Sequence, residues 1–144
     1  MKKTFIILLI LPFLFSCSMD EGGVTVSNNM EKYAIEYIEA NQLLEEGEKI
    51  IAYYDYTISL DGTESVMLTD NRLLYHNAET YDSSVLLENI TTIDHREEGL
   101  IGHIIEVYDT EGNIFMIEIA PLNGGETFLK LLKSRVSGLE DQIL

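Results

Sequence analysis

Two histidines on adjacent stretches of the chain, His95 and His103, are the first residues whose type and spacing could carry chemistry. If the strand-like segments 91–97 and 101–109 fold back on each other around Gly99, the two rings fall opposite one another on one face, ~5 Å apart at their Cβ atoms. With Glu97 nearby, two imidazoles could bind a metal ion or titrate near neutral pH. The plainer alternative is two unrelated histidines at the rim of a sheet, because a one-residue change of register puts them on opposite faces. Carboxylates are plentiful: 25 Asp and Glu against nine Lys and Arg give a formal charge of -16. Such a chain repels phosphate backbones, which excludes nucleic acid as a partner. Asp61 and Glu64 could approach a calcium ion, but no EF-hand loop accompanies them. The chain has no G-x-S-x-G elbow, H-E-x-x-H, P-loop or G-x-G-x-x-G, so no catalytic residue is assigned, no enzyme activity is expected and no cofactor is implied. The acids Glu45, Glu46, Glu48, Glu97 and Glu98 read as solvated faces, and Tyr53, Tyr54 and Tyr56 as core and rim packing.

The remaining reactive group is the thiol of Cys17, the only cysteine, which excludes an internal disulfide and a Cys-based zinc site. Ahead of it stand Lys2 and Lys3 and an apolar run from Thr4 to Phe15 broken only by Pro12. That run is short of the ~20 residues a spanning helix needs and has the form of a secretion signal. Leu14-Phe15-Ser16-Cys17 resembles a bacterial lipobox, with Phe15 where a small residue is commoner. The resemblance implies removal of residues 1–16 and acylation of Cys17, whose two or more acyl chains would anchor the protein durably. It also implies a lipoprotein of the bacterial cell envelope. Ser18 stands where an Asp would mark inner-membrane retention, so the outer membrane is the expected destination, facing either the periplasm or the cell surface. Ser18-Met19-Asp20-Glu21 looks like the short acidic tag of surface-exported lipoproteins. Loss of Lys2 and Lys3 leaves seven bases against 25 acids, so the mature charge is -18 and only the acyl chains, not the protein surface, would hold the membrane.

These residues must be held by a small number of elements. Residues 17–28, with Gly22-Gly23 and Asn28-Asn29 at their end, read as a lipidated cysteine and flexible tether. Met30, Tyr33, Ala34, Tyr37 and Ile38 form the stripe of an amphipathic helix over 29–46, with a capping box from Asn28 to Glu31 and a stop at Gly47. From Glu48 the period becomes two: Ile50, Ala52, Tyr54, Tyr56 and Ile58 alternate along one face, with Tyr53, Asp55, Thr57 and Ser59 on the other, as in a half-buried antiparallel strand. Leu60-Asp61-Gly62-Thr63 supplies a turn. Further strands are expected at 64–69, 72–77, 80–87, 91–97, 101–109 and 113–120, seven in all, which suits an antiparallel sandwich or barrel. Pro121 and Gly124-Gly125 end the run. Phe128, Leu131, Leu132, Val136 and Leu139 then mark one face of a closing helix over 125–137, with Gly138 beyond it and a tail over 139–144.

Seven strands and one C-terminal helix, together with the segments Leu44–Tyr54, Met67–Asn77, Leu86–Asp94, Glu111–Ile119 and the Phe128-Leu131-Leu132 stripe, resemble the bacterial pleckstrin-homology-like (PH-like) domains of the YokE type. The resemblance covers roughly residues 44–137 and implies a domain at 47–138: a seven-stranded antiparallel barrel or sandwich closed by the last helix. Phosphoinositide-binding members grip phosphate with a basic first hairpin. Here that loop is Ser59-Leu60-Asp61-Gly62-Thr63-Glu64, with two acids and no base, so no phosphoinositide is expected. Phosphotyrosine-binding relatives take a peptide as an added strand, which points to a groove between segment 91–97 and the last helix, lined by Thr91, Thr92, Asp94 and Arg96. The expected function is a non-catalytic module binding an envelope protein or peptide. The alternative is a carrier holding a small apolar ligand or lipid inside the barrel, a choice that turns on whether Ile50, Tyr54, Tyr56, Phe115, Ile117 and Phe128 fill the interior.

Overall fold

The hairpin at Asp70-Asn71 shows how the sequence writes this fold. The computed structural model, which describes residues 22–136, pairs Leu68 with Leu73 and Met67 with Leu74 across it. The Thr69 hydroxyl closes the turn, accepting from the backbone N–H groups of Asn71 and Arg72. The elements run β1 (Thr25–Val26), α1 (Lys32–Ala40), β2 (Ile50–Asp55), β3 (Glu64–Thr69), β4 (Arg72–Asn77), β5 (Ser83–Leu86), β6 (Ile90–Glu98), β7 (Gly102–Asp109), β8 (Ile114–Ile119) and α2 (Gly125–Lys133), with short 3-10 turns at Ser27–Asn29 and Leu87–Asn89. Cys17, the signal segment, the acidic tag, Leu139 and the tail lie outside the described residues.

The protein is mainly β, with the strands forming two antiparallel sheets, one of five strands in the order β1-β2-β3-β4-β5 and one of three in the order β6-β7-β8. Of the expected barrel or sandwich, the described residues form two sheets without closure into a barrel. Where a ladder would close them, side chains bridge instead: the Tyr56 and Tyr54 hydroxyls accept from the backbone N–H groups of Glu118 and Ala120. Between the sheets lies the main core, with Ala52, Val66, Leu68 and Leu73 facing Ile93, Ile105, Val107, Ile117 and Ile119. Helix α2 closes it through Phe128 and Leu132, one turn apart, and Val136 just beyond the helix adds to the plug; each is almost wholly buried. Burial of each such side chain contributes ~1.5–3 kcal/mol.

The opposite face of the five-stranded sheet does not meet solvent as the alternation implied. Helix α1 covers it, and Ala34 and Ile38 pack on Tyr53, Met67 and Leu74 in a second core. A bulge between Ile50 and Ala52 breaks the expected alternation and turns Ile50 into this second core, while Ala52 and Tyr54 stay in the first. Strand β2 stops at Asp55 rather than running to Ser59. The Asp55 carboxylate collects the Thr57 and Gly62 N–H groups and the Thr57 and Tyr53 hydroxyls, and so bends the chain away. Ile58 is left fully exposed.

Both helices are shorter than their stripes. In α1 the Asn28–Glu31 box is not made: Asn28 lies in the 3-10 turn and Glu31 is the N-cap without a side-chain capping bond. The helix ends at Ala40, well before Gly47. Gln42 takes the left-handed conformation, its N–H reaching the Glu39 carbonyl and that of Leu43 the Ile38 carbonyl, a Schellman stop built on a residue other than glycine. The tether expectation also changes. Thr25 and Val26 pair with Tyr53 and Ala52, and the Val24 N–H bonds the Asn123 carbonyl, so the chain is already part of the fold five residues before Met30. The strand expected over 80–87 shortens to Ser83–Leu86, because the Ala78 N–H still bonds the Thr63 carbonyl beside β3 and the Thr80 N–H closes a turn on the Asn77 carbonyl.

Candidate functional site

Among the described residues strand β6 stands at an edge of its sheet, with β7 as its ladder partner. Thr91, Thr92, Asp94 and Arg96 are all exposed along it. Thr92, Asp94 and Arg96 share one face by alternation, whereas Thr91 sits at a bulge and donates its hydroxyl to the Tyr108 carbonyl at 3.1 Å. Arg96 is not a free anchor. Its Nη1 bonds Glu106 at 2.6 Å and its Nε bonds Glu98 at 3.0 Å. Those hydrogen bonds hold the guanidinium pKa above its ordinary value, and Arg96 together with the Tyr108 hydroxyl holds Glu106 below the usual carboxylate range. The β6 edge thus offers free main-chain groups and hydroxyls beside a charge network that is already satisfied.

His95 and His103 do meet, although not as directly opposed residues. Glu97 pairs with His103 and His95 with Ile105, so the histidines are diagonal neighbours on one face. His95 Nε2 lies 3.0 Å from His103 Nδ1, with the rings nearly parallel at a centroid distance of 5.2 Å. One nitrogen must carry the proton and the other accept it, so the contact requires at least one neutral ring. Burial lowers the His95 pKa, and the nearby His103 and Lys133 lower it further. The first turn of α2 lies against the His103 ring: a Cβ on Gly125 would come within 2.4 Å of it. Among the described residues no three His, Cys, Asp or Glu side chains converge as metal ligands. The pair is therefore a proton-sharing contact under α2, with two nitrogens directed at each other.

The first-hairpin loop is anionic and self-satisfied. Asp61 accepts from the Ser59 and Thr63 hydroxyls and the Thr63 N–H, which lowers its pKa to about 2. Glu64, its proposed companion for calcium, instead accepts from the Tyr75 hydroxyl.

One feature escaped the sequence reading. The sandwich opens on the β8 side into a cleft of about 450 Å³, bounded by Tyr56, Tyr75 and Tyr81 on one side and the Ile114–Met116 stretch on the other. Tyr54 and Tyr56 meet edge to face at 5.0 Å, and Tyr56 meets Tyr75 in the same way at 6.0 Å. The tyrosine stripe is thus split, with Tyr53 in the core under α1 and Tyr56 reaching the cleft. The signal was present in Ile114-Phe115-Met116-Ile117, which is apolar at both parities although only Phe115 and Ile117 face the main core.

Compared with protein-family models, curated proteins and solved structures, the chain gave no match to any of the three. Among the described residues no helix is long and apolar enough to cross a membrane.

Proposed function

We propose that this protein is a lipid-anchored, non-catalytic interaction module of the bacterial envelope, carried on Cys17 in the outer membrane. Its PH-like sandwich takes a segment of an envelope protein as an added strand along β6, beside α2. The observation that carries this reading is the pairing of a filled interior with an uncovered strand edge. Ile105, Ile117, Phe128 and Leu132 have no exposed surface, and Tyr54, Tyr56 and Phe115 pack against the same core. That packing disfavours the carrier alternative, which needs an apolar chamber among these side chains. The β6 edge, by contrast, offers unpaired main-chain groups to an extended peptide, with Thr92 and Asp94 standing beside them. The acidic surface suits a partner that is not itself anionic, and excludes phosphoinositide headgroups from the loop that Asp61 organises.

The test places a photo-crosslinking amino acid at Asp94 and, as a control, at Glu36 on the exposed face of α1, in the full-length protein in its own membrane. A discrete adduct from position 94 alone supports strand addition at β6, and adducts from both positions or from neither would overturn it. The anchor has its own readout. Cys17→Ser should abolish incorporation of a labelled fatty acid, and persistent labelling of that variant would sink the lipidation assignment.

A further inference from the structure

The second edge of the small sheet among the described residues, β8, is unlike the first. The Glu118 N–H points away from β7, towards the Tyr56 hydroxyl at 3.3 Å, and the Ala120 N–H does the same towards Tyr54. Residues of one parity on a strand direct their backbone groups to the same side, so Met116 and Ile114 present theirs to the cleft as well. No tyrosine hydroxyl caps that stretch among the bonds described for the edge. Ile114 and Met116 are about half exposed, and Tyr81 across the opening is 68% exposed. Natural edges of this kind are usually guarded by charged side chains. Here the edge is apolar, and the charges that line the cleft are both negative: Glu64 and Glu118, with no Lys, Arg or His among the lining residues.

We propose that this cleft binds a basic, extended segment of another polypeptide, added as a short strand along Ile114–Met116. Its Lys or Arg side chain sits between the Glu64 and Glu118 carboxylates and against the tyrosine rings. Three features select that occupant. The unpaired main-chain groups call for an extended backbone. The exposed Ile114 and Met116 side chains favour apolar residues flanking the charge. The tyrosine faces together with two carboxylates favour a cation, which gains from the ring quadrupole as well as from the acids. The cleft volume of about 450 Å³ accommodates a few residues, not a folded domain. The inference rests on reading the chain as an interaction module, but it concerns the β8 edge, so the outcome of crosslinking at Asp94 does not decide it.

The test titrates a short fluorescent peptide of alternating Val and Lys into the full-length protein in neutral detergent, following anisotropy, alongside the same peptide with Glu in place of Lys. The basic peptide should bind with an affinity that salt weakens, and the acidic one should not bind. Glu118→Gln and Tyr81→Ala, both exposed changes, should each weaken binding roughly ten-fold, about 1.4 kcal/mol. Met116→Pro removes the cleft-facing N–H without changing charge and should weaken it similarly, because at this position the β7 ladder does not use that N–H. Glu39→Gln on α1 removes the same charge on the far side of the five-stranded sheet and should leave binding intact. Equal losses from Glu39→Gln and Glu118→Gln would mean diffuse attraction to an acidic protein and overturn the site. So would binding that is indifferent to both Glu118→Gln and Tyr81→Ala, whether or not Met116→Pro folds.

Discussion

The two faces of the five-stranded sheet bury themselves by different means. Towards the small sheet and α2, the residues Ala52, Val66, Leu68 and Leu73 are apolar, and the Tyr54 and Tyr56 hydroxyls that reach this side are used by β8. Towards α1 the centre is apolar, with Tyr53, Met67 and Leu74, but both ends are polar. Asp55, Ser65 and His76 are buried at one end, and Thr69, Arg72 and Glu48 interlock at the other. Geometry explains the difference. A nine-residue helix is ~13 Å long, whereas a six-residue strand extends for ~20 Å. One short helix covers the middle of the sheet, and at the ends the Asp55 and Glu48 carboxylates gather the hydrogen bonds.

If that contrast is right, the apolar face should be damaged most by lost volume. Phe128→Ala should cost ~3–5 kcal/mol in urea or thermal unfolding, since the ring is wholly buried where α2 closes the sandwich. A loss below ~1 kcal/mol would mean that α2 is not what seals this core.

The α1 face should be damaged most by lost partners. Asp55→Ala removes the acceptor of two backbone N–H groups and two hydroxyls at a site only 6% exposed. Each buried donor left unmade costs ~1–3 kcal/mol, and partial relaxation brings the expected total to ~2–4 kcal/mol. Amide hydrogen exchange should accelerate selectively at Thr57 and Gly62. Uniform acceleration across the molecule would show instead that the two faces unfold as one unit. Burial and the Asp55 carboxylate also push the Tyr53 and Tyr33 hydroxyls well above the ordinary tyrosine value, so both should stay protonated in mildly alkaline buffer while the fold persists.

At the opposite end of that face, Arg72 bonds Glu48 through Nε at 2.9 Å and Nη2 at 3.0 Å, and reaches the Leu43 carbonyl that follows α1. Arg72→Leu should cost ~1–3 kcal/mol, less than a deeply buried pair because solvent still reaches the arginine. Burial raises the Glu48 pKa, but Arg72, the Glu45 N–H and Thr69 outweigh it and hold the carboxyl below its usual value. A depressed carboxylate stabilises the fold above its unfolded pKa, and that stability is lost as pH falls through the folded one. The penalty of Arg72→Leu should therefore shrink below about pH 4.5. A constant penalty across the acid limb would remove the ion pair from the account.

Strand positions and the α2 stripe were legible because they rest on local rules: period-two runs separated by Asp-Asn and Gly turns, and apolar residues one helical turn apart. The limits of β3 and β4 match the expected 64–69 and 72–77 for that reason. What was not legible depends on partners distant in sequence. Tyr53 and Asp55 look like a solvent face until α1 lies on them, and the bulge at Ile51 moves Ile50 between cores without leaving a mark in the alternation. Asn41 and Gln42 stop α1 where no glycine signals a stop. The histidine pair was found from spacing but not its register, since hairpins centred one residue apart have similar turn sequences. The β8 cleft was missed because exposed apolar residues on an edge strand mean nothing until the opposing tyrosines are in place.

The smallest expected effect tests the small sheet, where an exposed and a half-buried histidine meet at the end of the β6-β7 hairpin. His95 faces His103 across the sheet, and the charges that reach it come from Glu97 on its own strand and from Lys133 and Glu126 on α2. Burial, then His103 and Lys133, lower its pKa, and the two glutamates oppose that shift without reversing it. The folded state therefore resists protonating this ring more than the unfolded chain does. The contribution is present above the unfolded value of about 6.5 and is lost as pH falls through the folded one, the sign expected of a depressed group. The carboxylates held low by hydrogen bonds, Glu48, Glu106 and Asp109, begin to titrate only in the more acidic range, so the two windows separate. His95→Gln should leave the thermal midpoint nearly unchanged at about pH 7.5 and flatten its decline below about pH 6.5, by a degree or two rather than the shift expected for Phe128→Ala. Parallel declines in the two proteins would mean that the contact under α2 is too loose to register protonation of His95.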